Sequence, residues 1–139
     1  MKKNLGRSAS VAAAASVLAL GATLASAGTA SAHPSVKFDY SSNQIMVLTG
    51  GTPAGYANWF ADPQAGWPGD LITAYDSKSD GYGIEAHLSN GRVASTRGHN
   101  APYTDKASGN LPEGKSYKMW VCLVKGSWSS CSSKITVTA

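Results

Sequence analysis

The sequence predicts an all-β protein, an antiparallel β-sandwich of seven or eight short strands. Three observations carry that prediction. Apolar and polar residues alternate with a period of two nearly throughout. Turn-forming Gly, Pro, Asn and Asp clusters interrupt the alternation at short intervals. No stretch beyond the N-terminal segment shows helical spacing, and no internal repeat is visible.

The first 32 residues read as an export leader and a separate unit from the fold. Lys2, Lys3 and Arg7 make a positive start, residues 11–24 form an apolar stretch of small residues, and Ala30-Ser31-Ala32 is an A-x-A cleavage site. The apolar stretch is too short and too rich in Ala, Ser and Gly for a membrane span. The expectation is a secreted, extracellular protein that begins at His33 and has no membrane attachment after cleavage. Of 139 residues, 107 would remain, enough for one small domain with a single core.

Val36, Phe38 and Tyr40 alternate with polar neighbours and predict a first strand, followed by the apolar run 44–49 (Q-I-M-V-L-T). Gly50-Gly51-Thr52-Pro53 breaks the run, 56–61 (Y-A-N-W-F-A) is a third strand, and Asp62-Pro63 ends it. A loop holding Gly66, Trp67, Pro68 and Gly69 leads to a fourth strand, 71–75. Tyr82, Ile84, Ala86 and Leu88 then alternate up to Asn90-Gly91, with Val93 and 94–97 beyond. Asn-Gly between alternating runs predicts a two-residue type I′ hairpin, pairing Leu88 with Val93 and His87 with Ala94. Residues 98–114 read as a long exposed connection. In the next strand Tyr117, Met119, Val121 and Leu123 share one face, and 135–138 is the last strand.

Cys122 and Cys131 are the two cysteines of the chain. An exported protein meets an oxidising compartment, so they are expected to form a disulfide. Placed opposite each other in a hairpin, they set Val124 against Ser129 and leave 125–128 as a four-residue loop.

Leu111-Pro112-Glu113-Gly114-Lys115-Ser116-Tyr117-Lys118-Met119-Trp120-Val121 resembles the tyrosine-corner segment of immunoglobulin-like and fibronectin type III domains. With the hairpin and I-T-V-T that follow, the resemblance covers about the last 30 residues. It implies an immunoglobulin/fibronectin-like sandwich in which the Tyr117 hydroxyl bonds back across the corner. Residues 80–83 (D-G-Y-G) through 94–103 (A-S-T-R-G-H-N-A-P-Y) are similar to small secreted actinobacterial proteins of unassigned function. That likeness implies an extracellular address and no activity.

The net charge of +4 comes mostly from the leader; beyond it, nine basic residues stand against eight acidic ones. The basic residues are scattered from Lys37 to Lys134, whereas nucleic-acid binding needs clustered Lys and Arg. A nucleic-acid partner is therefore not expected, and nothing in the pattern calls for more than a monomer. Enzymatic chemistry is not expected either. His33, His87 and His99 lack a nucleophile motif beside them, and Asp62, Asp70, Asp80 and Glu113 are explained by turn chemistry.

The leading expectation is a non-catalytic extracellular binding module for a glycan or a protein surface. All twelve aromatic residues follow the leader, and Trp67, Tyr103 and Trp128 fall in expected loops, where rings can stack on a sugar or anchor an interface. Two alternatives stand beside it. A His33 N-terminus offers an amine and an imidazole, which suit Cu(II), with His99 or His87 and a carboxylate as further ligands. Pro34 removes the second amide, which closes the simple amino-terminal chelate. Otherwise no cofactor is expected. The second alternative is an inhibitor of a secreted hydrolase that inserts the 98–114 connection.

Overall fold

The computed structural model describes residues 32–139; the leader assigned to residues 1–32 lies, but for Ala32, outside them. Ten strands and no helix make up the described chain: β1 Val36–Tyr40, β2 Gln44–Thr49, β3 Thr52–Phe60, β4 Leu71–Asp76, β5 Gly83–Leu88, β6 Val93–Ser95, β7 Tyr103–Ala107, β8 Ser116–Lys125, β9 Trp128–Cys131 and β10 Ile135–Thr138. They form two stacked antiparallel sheets, one ordered β1-β2-β3-β4-β7 and the other β10-β8-β5-β6. The partners of β8 are split. Met119 to Ser116 pair with β10, while Cys122 to Lys125 pair with β9, so β9 and β10 follow one another along the same edge. At the break, the Ser132 hydroxyl and amide serve the Val121 amide and carbonyl at 3.0 and 2.9 Å.

The core is what the period-two pattern requires. Ile45, Val47, Ala57, Trp59, Ile72 and Ala74 from the first sheet face Ile84, Ala86, Leu88, Met119, Val121 and Leu123 from the second. Trp59 is 2% exposed, and its indole N–H is satisfied by the Thr138 carbonyl at 2.9 Å. The sheets approach closely at Gly55, where a Cβ would meet the Tyr75 carbonyl at 2.1 Å and Ile84 at 2.7 Å. Only glycine fits there.

Several local expectations are corrected. The 90–91 hairpin pairs His87 with Val93 and Ala86 with Ala94, one residue away from the expected register. Leu88 and Arg92 close a three-residue loop, and Gly91 takes the positive φ of 93° while Asn90 does not. Burial decides this: only the observed register puts Ala94, which is 0% exposed, on the core face with Ala86. The two-residue turn with both φ positive is instead Gly50-Gly51, at 58° and 82°, so β3 starts at Thr52, earlier than expected. Within residues 98–114, the expected loop contains strand β7, paired along β4. Its Y-T-D-K-A sequence carries little apolar signal because it is an edge strand. That pairing divides the 98–114 segment into two shorter connections, 98–102 and 108–114.

Cys122 and Cys131 form the expected disulfide, opposite each other with Cα atoms 4.0 Å apart, and Val124 faces Ser129. The turn is tighter than expected because Lys125 also pairs with Trp128, leaving Gly126 and Ser127. Tyr117 is buried at 7% exposure, but no hydrogen bond from its hydroxyl back across the corner is found among the described residues. Its ring rather than its hydroxyl makes the contacts, with the Lys115 ammonium 5.6 Å from the ring centroid.

Candidate functional site

Three connections meet at one end of the sandwich: residues 77–82 between β4 and β5, residues 96–102 between β6 and β7, and the β8–β9 turn. Between them lies a cleft of about 330 Å³, lined among others by Asp76, Tyr82, Thr96, His99 and Lys125. Each wall follows from local sequence. Asp76 continues the inward parity of Ile72 and Ala74, so β4 drives a carboxylate to the sheet end at 3% exposure. Its Oδ1 accepts the Lys78 amide at 3.0 Å, an Asx turn that starts the crossover. Burial pushes the Asp76 carboxyl above its ordinary value of 3.8; the Lys78 amide opposes that rise and the Asp80 charge adds to it. The Lys78 ammonium gives no relief, because it turns to the Thr49 and Thr52 hydroxyls at 2.8 and 3.1 Å.

The opposite wall is braced by Arg97, which bonds the Glu85 carboxylate and donates to the Gly126 carbonyl at 2.8 Å. Thr96 is 1% exposed, and its hydroxyl accepts the Ile84 amide at 2.7 Å.

Two ring pairs adjoin the cleft, each through one ring that lines it, Tyr82 or His99. Trp128 stacks on His33 at 4.0 Å with 9° between planes, and meets Tyr82 edge-on at 5.7 Å. The His33 Nδ1 lies 3.1 Å from the Tyr82 hydroxyl, and the Lys125 ammonium sits 4.6 Å above the Tyr82 ring. On the other side His99 stacks on Tyr103 at 3.8 Å and 6°. Tyr103 opens β7 instead of standing in a loop, and Trp128 opens β9.

No family model matches this chain, and neither does any curated protein or any solved structure. The geometry alone carries the functional argument.

Of the three aromatics singled out from sequence, Trp128 and Tyr103 therefore border the cleft through Tyr82 and His99. Trp67 does not. It lies in the β3–β4 loop at the other end of β4 and folds back on the outer face of the first sheet. There its ring packs on Phe60 at 5.4 Å and under the Lys106 ammonium at 4.2 Å. Leu71 and Thr73, which point outward beneath it, are each 1% exposed. The third imidazole is also stacked, His87 on Trp120 at 5.1 Å and 4°. Among the described residues no three His, Cys, Asp or Glu side chains converge as a metal-binding group, and His33 and His99 each engage an aromatic partner.

Sequence reasoning missed Asp76; Tyr82, which the alternation aligned with Ile84, Ala86 and Leu88, packs against the core cluster and also lines the cleft. The parity of I-T-A-Y-D was the available signal for Asp76, since it sets that carboxylate on the same face as Ile72 and Ala74.

Chemically, the cleft offers the Tyr82 and His99 rings and the polar side chains of Asp76, Ser79 and Asn100 among its lining residues. Asp76 is the one carboxylate among its lining residues, whereas paired-acid glycoside hydrolysis uses two. No hydrogen bond among the described residues joins a serine hydroxyl to a histidine, as an activated nucleophile would need.

Proposed function

We propose that the chain is an exported, non-catalytic binding module of the immunoglobulin/fibronectin kind, and that its end cleft holds a glycan. The strand order supports the first part. β3, β4 and β7 correspond to strands A, B and E of such a domain, and β5, β8 and β10 to C, F and G, with β1 and β2 added at one edge. Tyr117, buried at the start of β8, holds the corner position of that likeness without its hydroxyl hydrogen bond. Pairing of the two cysteines fits an oxidising, extracellular address.

The observation that carries the glycan reading is the cleft itself, lined by the buried Asp76 carboxylate and by the Tyr82 and His99 rings, each of which meets a further aromatic ring. A sugar presents an apolar C–H face to an aromatic ring and neighbouring hydroxyls to a carboxylate or amide. A volume of about 330 Å³ is concave and within the range of small-ligand sites. A protein partner would favour a broad flat patch instead.

The test is retention on insoluble polysaccharides and cell-wall material. Wild-type protein is expected to bind at least one of them, with affinity falling about tenfold or more in Tyr82→Ala and His99→Ala, as for other desolvated aromatic anchors. Trp67→Ala should bind as wild type. Retention that survives both cleft substitutions, or that Trp67→Ala abolishes, would overturn the assignment.

A further inference from the structure

We propose that a second cleft, at the opposite end of β4, binds a calcium ion through Asp70. This cleft, also about 330 Å³, lies between the β3–β4 loop and the connection from β7 to β8. Its polar lining is all hard oxygen: Asp62, Asp70, Ser108, Asn110 and Glu113, with no Lys, Arg, His or Cys among the lining residues.

Asp70 is the decisive residue. It is 6% exposed and holds a left-handed backbone, φ 50°. Its amide donates to the Ala61 carbonyl at 2.8 Å, and its Oδ2 accepts the Leu111 amide at 2.7 Å, so it ties the two walls together. The Arg92 guanidinium reinforces the tie by donating to the Asp70 and Gly109 carbonyls, and so is spent on backbone oxygens. The second carboxylate oxygen, Oδ1, is buried and has no partner. A buried carboxylate oxygen without a hydrogen bond is costly, and such an atom in a native protein asks for an ion or a water.

The donor set selects the class of ion. Carboxylate, amide and carbonyl oxygens on irregular loops suit Ca²⁺, which accepts variable geometry. Mg²⁺ demands a near-ideal octahedron, and the softer transition metals favour His or Cys. Asp62, Asp70 and Glu113 do not converge as a three-carboxylate cluster. Asp70 Oδ1 is therefore the anchoring ligand, with amide, carbonyl and water oxygens completing the shell. Such a site belongs to the weak class of extracellular modules, with Kd of about 0.1–1 mM.

Thermal unfolding and calorimetric titration of the purified protein with CaCl₂ and with MgCl₂ test this. Calcium is expected to raise the wild-type Tm in a saturable way at millimolar concentration, and magnesium to leave it nearly unchanged. Asp70→Asn keeps an acceptor for the Leu111 amide and tolerates the left-handed backbone. It should fold and lose the calcium response, with affinity reduced about tenfold or more. If that variant does not fold, Glu113→Gln, which removes an exposed negative charge from the cleft lining and leaves the anchoring carboxylate in place, provides the second readout and should weaken calcium binding through the lost attraction. No calcium effect on the wild type overturns the proposal, as does a variant that folds and responds like wild type.

Discussion

One strand separates two buried aspartates. Asp70 stands just before β4 and Asp76 ends it; they are 6% and 3% exposed, and each lines a cleft of about 330 Å³. The two carboxylates do different work. Asp76 reaches its cleft by strand parity and bonds an amide two residues away, and burial raises its pKa. Asp70 reaches its cleft by a left-handed turn and bonds an amide 41 residues away, across the connection to β8. The first is a local acceptor presented to a cavity, the second a tether that closes one. The walls differ as well: aromatic pairs flank the Asp76 end, while oxygen donors without aromatic rings line the other.

The largest expected effect concerns the covalent staple, which belongs to the Asp76 end alone. Replacing both Cys122 and Cys131 by Ser removes a short loop closure and should cost about 2.5–3 kcal/mol in urea unfolding. Amide exchange should quicken at Lys125 and Trp128 and hold steady at Leu111. Equal quickening at Leu111 would show that the two ends are not independent.

Next comes the tether. Asp70→Ala strands the part-buried Leu111 amide and forces a Cβ residue without a local acceptor into the left-handed region, at a cost of about 2 kcal/mol. Asp70→Asn should stay within about 1 kcal/mol of wild type. Chemical denaturation of the pair checks this, and an Ala variant as stable as wild type would remove the tether from the account.

The smallest effect separates the aspartates by pH. Because the Asp76 pKa is raised in the folded state, folding takes up a proton between 3.8 and that raised value. Its contribution is therefore fully favourable below about pH 3.8 and is lost as pH rises through the folded pKa. At neutral pH Asp76→Asn should melt at or above the wild-type temperature, and that advantage should shrink towards pH 3.8. Melting curves of the two proteins across that interval provide the check; a gap that widens on acidification would contradict the assigned burial.

Much of the fold was legible because burial writes itself as alternation. The β4, β8 and β10 segments and the inward face of β8 follow from period two and turn residues, β2 from a continuous apolar run, and the disulfide from two cysteines expected in an oxidising compartment. What escaped is where polar chemistry and position disagree. β7 is an edge strand, half-polar, and its register partner β4 lies far off in sequence. The 90–91 hairpin obeyed the need to bury Ala94 over the local preference of Asn-Gly. The cleft was half legible. Trp128 and Tyr103 stood out as rings outside apolar runs, but Trp67 matched the same description and folds onto a sheet. Asp76 was hidden because a strand-end acid resembles a turn residue until its parity is counted.

Amide chemical-shift mapping during titration with a soluble fragment of the retained polysaccharide tests most directly the proposed ligand site at the Asp76 end. Saturable shifts are expected to concentrate at Tyr82, Gly83, His99, Asn100 and Lys125, all lining the first cleft. Shifts centred on Trp67 and Lys106, with the cleft silent, would contradict it.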